Sequence, residues 1–209
     1  MAIQQKDVIA WINKYAAVIT EKRQYLIDLD SAIGDADHGE NMNRGFQAVL
    51  KKMPEVADKD IGSILKTVGM TLIGTVGGAG GPLYGTLFLQ AGAKSVSKTE
   101  LSLQDWVDML EAAIIGVVAR GKAELGDKTM LDALYPALDA LKISAKNGKT
   151  LQEALQASAE AAEKGMLATI PLVARKGRAS YLGERSANHQ DPGATSSYYL
   201  LKVAADIWK

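Results

Sequence analysis

Three carboxylates, Asp30, Asp35 and Asp37, fall within eight residues in the stretch DSAIGDADHGENMNRG, with His38, Gly39, Glu40 and Asn41 directly behind them. At about 6 Å separation and an effective dielectric of about 20, each ionised pair repels by roughly 3 kcal/mol, so a folded loop that keeps all three ionised needs a compensating cation. Oxygen-only ligands suit a hard ion. Mg²⁺ in particular keeps one or two carboxylates and takes phosphate oxygens for the rest. The same residues also fit a solvated acidic turn that caps a helix, because Asp and Gly are ordinary turn residues.

Phosphate chemistry is suggested by four helix starts, at residues 37–41, 77–82, 126–129 and 191–193, each opened by glycine or a small polar residue. Free backbone N–H groups at such an end carry partial positive charge and suit an anion. Each start taken alone also fits a plain cap, but four on one rim of a helical bundle would cradle a nucleotide. The segment ARKGRASYLGERS, residues 174–186, adds Arg175, Lys176, Arg178 and Arg185. It fits a solvated basic C-terminus of the seventh helix, and equally a loop that brings an arginine to a transferring phosphoryl group.

Other chemistries are excluded. Residues 116–123 nearly spell a P-loop, but Ala123 replaces the Ser or Thr that would bind Mg²⁺, and the segment lies on an amphipathic helix. A calcium loop starting at Asp35 would need Gly at its sixth position and Glu at its twelfth, where Glu40 and Phe46 stand. With no cysteine and only His38 and His189, disulfides, thiolate catalysis and zinc are not expected. Lys plus Arg (24) balances Asp plus Glu (24), so no global field favours nucleic acid or an anionic membrane. The start MAIQQKDVIAW has no basic-then-apolar signal, and no apolar run approaches the about 18 residues of a membrane span. The expected compartment is the cytoplasm.

The elements that must position these residues read as helix after helix. Val8, Ile12, Tyr15 and Ile19 mark one helical face, and Met42, Phe46, Val49, Leu50 and Met53 a second, with Pro54 as its stop. A third helix spans about residues 61–73, and Pro82 is placed to open a fourth. Ser102 with Asp105 opens a fifth whose face carries Trp106, Leu110, Ile114 and Val117, and Thr129 with Asp132 a sixth, in which Pro136 kinks the helix or sits in an early turn. Thr150 with Glu153 caps a seventh, and Asp191-Pro192-Gly193 starts the last, ending near Trp208. No segment alternates like a strand. The expectation is all-α: a single domain over residues 1–209, eight antiparallel helices closed into a bundle or barrel, with the site at one rim. The polar stretch 177–190 is left as a long loop, of the kind that is often functional.

The motifs GDADHGENMNRG, VGGAGGPLYGT, ARGKAELGDKTM and ARKGRASYLGERSANHQDPGATS, in this order and spacing, closely resemble the nucleotide-binding (DhaL-type) subunits of bacterial dihydroxyacetone kinases driven by the phosphoenolpyruvate phosphotransferase system. The resemblance covers essentially the whole chain. It implies an eight-helix antiparallel barrel that holds ADP and two Mg²⁺ ions at one rim, with Asp30, Asp35 and Asp37 as metal ligands. It places His38, Gly39, Glu40 and Asn41 at or beside the phosphates, and Ala79 and Gly80 in the glycine loop. Gly121, Met130, Arg178, Asp191, Pro192 and Gly193 would enclose the nucleotide, Arg178 acting as the catalytic cation. Gly80 stands where the family commonly has Ser, which removes a hydroxyl from the phosphate side of the glycine loop, and Leu125 stands where Pro is frequent.

The implied activity belongs to a kinase subunit. Bound ADP is rephosphorylated in place by a phosphohistidine partner, and the γ-phosphoryl then passes to dihydroxyacetone on a separate subunit. A transcription regulator and a second copy of the chain stand as further candidate partners. Two alternatives use the same residues: a metal-dependent phosphohydrolase, which would release phosphate without an acceptor, and a nucleotide-dependent interaction module that reports to a regulator.

Overall fold

The computed structural model describes residues 2–208. Its elements are a strand β1 (Ile3–Gln4), helices α1 (Gln5–Glu21), α2 (Arg23–Ile33), α3 (His38–Val56), α4 (Ile61–Thr75) and α5 (Gly80–Lys94), a strand β2 (Glu100–Leu101), then α6 (Leu103–Gly121), α7 (Leu131–Lys146) and α8 (Leu151–Ala168). A 3-10 segment (Arg178–Ser186) and α9 (Pro192–Ile207) follow. The sequence periodicities become buried faces: Val8, Ile12, Tyr15 and Ile19 are all buried on α1, and Trp106, Leu110, Ile114 and Val117 on α6. The expected capping box of Thr150 with Glu153 forms on α8, and the expected helix start at Ser102 and Asp105 on α6 is a second such box. Asp191 caps α9 with Pro192 at its first turn.

The chain is all-α as expected, but among the described residues the eight expected helices become nine plus the 3-10 segment. The additional α-helix is α2. It escapes a periodicity search because it is short and Lys22 alone separates it from α1, with no glycine or proline between them. Asp30 therefore sits in the last turn of a helix, not in a loop. Residues 174–186 do not extend the preceding helix either, since α8 stops at Ala168 and part of the expected loop is the 3-10 segment. Pro54 lies in the final turn of α3 without ending it, α5 begins two residues before Pro82, and Pro136 is inside α7.

The helices form a bundle rather than the expected closed barrel. Neighbours in the chain pack on one another from α3 to α9, but α9 also lies against α1, α2 and α7, and α3 against α1, α2 and α5. α9 is the most enclosed of these, with Asp206 its one exposed residue, whereas α3 keeps an exposed face that includes Arg44, Gln47 and Lys51. The two short strands pair antiparallel, with Ile3 opposite Leu101, and tie the start of α1 to the approach to α6. Trp11, Trp106 and Trp208 meet edge-on or tilted at one end of the core, with ring centroids 4.9–5.3 Å apart. From Trp106 to Gly121 is about 22 Å along α6. The aromatic end is thus remote from the end at which α2 and α6 finish and α3, α5, α7 and α9 begin.

No helix among the described residues is long and apolar enough to cross a membrane.

Candidate functional site

At that second end lies a cavity of about 750 Å³. Asp30, Asp35 and Asp37 stand on its edge, and one carboxylate oxygen of each comes within 4.8 Å of the others. Their placement follows from the chain between α2 and α3. Asp30 is buried and turns its Oδ2 back to accept the N–H groups of Asp37 (2.8 Å) and His38 (3.1 Å). That fold-back requires Gly34, where a Cβ would lie 2.1 Å from Asp30 Oδ1. Ala36 takes the left-handed conformation (φ 62) and Asp37 heads α3 without a side-chain cap bond. The Asp37 carboxylate is therefore free to face the cavity. Three converging oxygen donors, one pinned by two N–H groups and one uncapped, fit a hard divalent cation such as Mg²⁺. Across the cavity, Arg178 Nε lies 2.9 Å from Asp35 Oδ2 and offsets part of the clustered negative charge.

The other walls come from helix ends. The turn at 77–81 runs through Gly78 (φ 61), and Gly81 lets α5 start tightly, since a Cβ there would lie 2.3 Å from the Val76 carbonyl. Ala79 and Gly80 line the cavity, as do Gly121 at the end of α6, Met130 at the start of α7 and Asp191, Pro192 and Gly193 at the start of α9. Leu83, Val117 and Leu131 add apolar surface, and Arg120 and Lys176 add charge.

Residues 32–206 match the family described as the DAK2 domain. The chain belongs to the DAK2 domain family. It is 46% identical over 205 residues to the "PEP-dependent dihydroxyacetone kinase, ADP-binding subunit DhaL" of Escherichia coli (strain K12), covering 98% of each chain. It is 46% identical over 200 residues to the corresponding subunit of kinase 2 from Listeria innocua, covering 95% of this chain and 92% of that one. Among solved structures it resembles the dihydroxyacetone kinase of C. freundii in native form, with a TM-score of 0.73, 25% identity and 95% of this chain covered. The same kinase in complex with AMP-PNP and Mg²⁺ matches with a TM-score of 0.69 and 26% identity. The chain spans about a third of the length of that larger kinase, 34% and 33% in the two structures.

Within this DAK2 domain, two expected phosphate neighbours do not line the cavity. Gly39 packs α3 on α2: a Cβ there would lie 2.2 Å from the Arg23 carbonyl. The Glu40 side chain pairs with Arg23 on the surface at 2.8 Å. The four helix starts also differ from one another. Asp132 takes the N–H groups of Gly126 (2.6 Å) and Thr129 (2.7 Å), Asp30 takes two at the start of α3, and Asp191 caps Ala194 (2.6 Å). Only at residues 77–80 does no side chain of the described residues accept from the backbone N–H groups.

His38 lies on the cavity wall with Nε2 2.9 Å from Ser196 Oγ. Burial holds its pKa below the ordinary histidine value, against the pull of Asp30 and Asp37. Ser196 Oγ meets Tyr84 OH at 2.7 Å, Tyr84 OH meets Ser197 Oγ at 2.9 Å, and Tyr15 OH donates to the Ser196 carbonyl at 3.0 Å. Burial pushes the Tyr84 hydroxyl up to about 12, so this network stays neutral and fixes the His38 ring. Asn41 Oδ1 accepts from Arg44 (2.6 Å), and a Cβ on Gly77 would lie 2.9 Å from that oxygen. Sequence reasoning missed Tyr84, Ser196, Ser197 and Lys128. The available signal was a pair of serines on the core face of α9's first turns, where an apolar residue is usual.

Proposed function

We propose that this chain is the ADP- and ATP-binding subunit of a phosphoenolpyruvate-dependent dihydroxyacetone kinase. The observation that carries it is the triad of carboxylate oxygens within 4.8 Å, on the edge of a cavity large enough for a nucleotide and faced by Arg178. In this reading Asp30, Asp35 and Asp37 hold two Mg²⁺ ions. When bound, the ions neutralise phosphate charge and polarise the transferring group. The open N–H groups at residues 77–80 seat phosphate oxygens, and Gly80, where the nearest atom to a built Cβ is Val76 Cγ1 at 3.3 Å, leaves room there. His38, held neutral, orients through a hydrogen bond and carries no competing charge. Arg178 meets negative charge that develops as the phosphoryl group moves, so catalysis on this chain is positioning plus electrostatics.

Bound ADP takes a phosphoryl group from a phosphohistidine of a phosphotransferase-system partner: an N–P bond breaks and an O–P bond forms at the β-phosphate. The γ-phosphoryl then passes to a hydroxyl of dihydroxyacetone on a separate substrate-binding subunit. Both partners meet the rim where Tyr181, 86% exposed, stands on the cationic loop. The chain works as one nucleotide-binding domain in the cytoplasm. A transcription regulator and a second copy of the chain remain further candidate partners, the first if its contact depends on which nucleotide is bound.

The division of labour gives the test. Fixing a small ketone near attack geometry supplies about 7–11 kcal/mol of a transfer barrier, and in this reading the cavity of about 750 Å³ is taken up by the nucleotide. Purified, ATP-loaded chain mixed with dihydroxyacetone should therefore form no sugar phosphate until the substrate-binding subunit is added. Multiple turnovers by the isolated chain would refute the reading.

A further inference from the structure

Lys128 is 1% exposed, in a left-handed backbone conformation (φ 64), and borders the cavity. A lysine beside a nucleotide cavity ordinarily suggests a phosphate ligand. Here its protons are already committed. Nζ reaches the carbonyls of Thr169 (2.7 Å), Leu172 (3.1 Å) and Ile170 (3.3 Å), and that of His189. An ammonium has three donors for those four acceptors, so none is left over for a phosphate.

The four carbonyls share a place in the chain. Three precede the segment that carries Arg178 and the fourth follows it, so Lys128 closes the neck of the loop at residues 173–188. The neck is reinforced nearby: Asn188 N–H donates to the Ile170 carbonyl (2.7 Å), and Ala174 N–H to Ser186 Oγ (2.8 Å). Arg175 N–H donates to the Asp127 carbonyl (3.1 Å), which joins the loop to the cavity-lining turn that holds Lys128 itself. Beyond the neck, Gly177 (φ 65) and Gly183 (φ 54) free the tip, where Arg178 projects to Asp35. The side chain of Arg178 is two-thirds exposed, so its reach is set by the backbone of the loop, which the neck ties at its base and which packs against α2 beyond it.

We infer that Lys128 is a positioning residue: by clasping both ends of the 173–188 loop it holds Arg178 across the cavity from Asp35, and it does not itself bind phosphate. This rests on the kinase reading above for its rate measurement, though not for its structural one.

The experiment is a double-mutant cycle on the full chain, with transfer to dihydroxyacetone measured in the presence of the substrate-binding subunit. Arg178→Ala in the native background should slow transfer by at least about 100-fold. Lys128→Met, which keeps length and loses the ammonium, should slow it substantially while Mg²⁺–ADP affinity stays within about threefold. In the Lys128→Met background, Arg178→Ala should cost no more than about threefold further, because residues that act as a unit are not additive. The same cost for Arg178→Ala in both backgrounds would overturn the inference, as would an affinity loss as large as the rate loss. Trypsin supplies the second readout: cleavage at Arg175, Lys176, Arg178 or Arg185 should be at least about tenfold faster in Lys128→Met that is folded by circular dichroism. If Arg178→Ala leaves the native rate unchanged, the kinase role of Arg178 fails and the trypsin result alone decides the clasp, unchanged cleavage refuting it. If Lys128→Met does not fold, Ser186→Ala opens the same neck from its other side without unpairing a charge, and additivity with Arg178→Ala there refutes the proposal equally.

Discussion

Replacing Asp191 by asparagine takes a charge out of the buried start of α9 while leaving an oxygen to cap it, and the stability gained should depend on pH. Asp191 is 8% exposed. Burial, with Asp132 and Asp30 adding, raises its pKa from 3.8 to about 7, although the Ala194 N–H and Lys128 pull it down. Because the folded pKa is the higher one, the folded chain keeps a proton between pH 4 and 7 that the unfolded chain has lost. Stability is therefore fullest below the unfolded value and falls by about 1.4 kcal/mol per pH unit as pH rises towards the folded one. Integrated from pH 5 to pH 8, this single group costs the native chain about 2–3 kcal/mol. Asp191→Asn should escape that cost, since an amide oxygen still accepts from the Ala194 N–H. The assay is urea denaturation of native and Asp191→Asn chains, freed of metal and nucleotide, at pH 5 and pH 8. Titrations common to both chains cancel in the difference. The advantage of Asp191→Asn should grow by about 2–3 kcal/mol between the two pH values. An equal difference at both, or a native chain that is the more stable at pH 8, would show that Asp191 stays ionised in the fold and would refute the burial argument.

Asp35→Ala or Asp37→Ala should abolish stabilisation by Mg²⁺–ADP with helicity unchanged. Ligand at about 100 times its Kd adds about 2.7 kcal/mol to the native chain, or about 5–10 °C in melting temperature for a domain of this size, and a variant that keeps the full shift would remove the metal assignment. Gly39→Ala should lower stability by about 1–3 kcal/mol in urea denaturation, because its methyl group meets the Arg23 carbonyl at 2.2 Å and forces α2 from α3. An unchanged midpoint there would restore Gly39 as a residue kept for the ligand alone.

The sequence by itself determined whatever is written over short spans. The spacing of Asp30, Asp35 and Asp37 announced a cation site because repulsion between near neighbours needs no knowledge of the fold. The capping boxes at Ser102 and Thr150 and the apolar face of α1 were legible for the same reason: their partners stand three to eleven residues away. Only the tertiary structure decided who answers whom across the chain. It left the turn at 77–80 without a side-chain acceptor, whereas the N–H groups of Gly126 and Thr129 find theirs locally in Asp132. It gave Gly39 a part in packing α3 on α2 and placed Asp30 on a helix too short and too close to α1 for its period to stand out. It brought Arg178 to Asp35, and it buried Lys128 under carbonyls that lie more than 40 positions further on. A hydrogen-bond donor is claimed by whichever acceptor the packing delivers, and where that acceptor lies tens of residues away, as for Lys128, no local pattern encodes it.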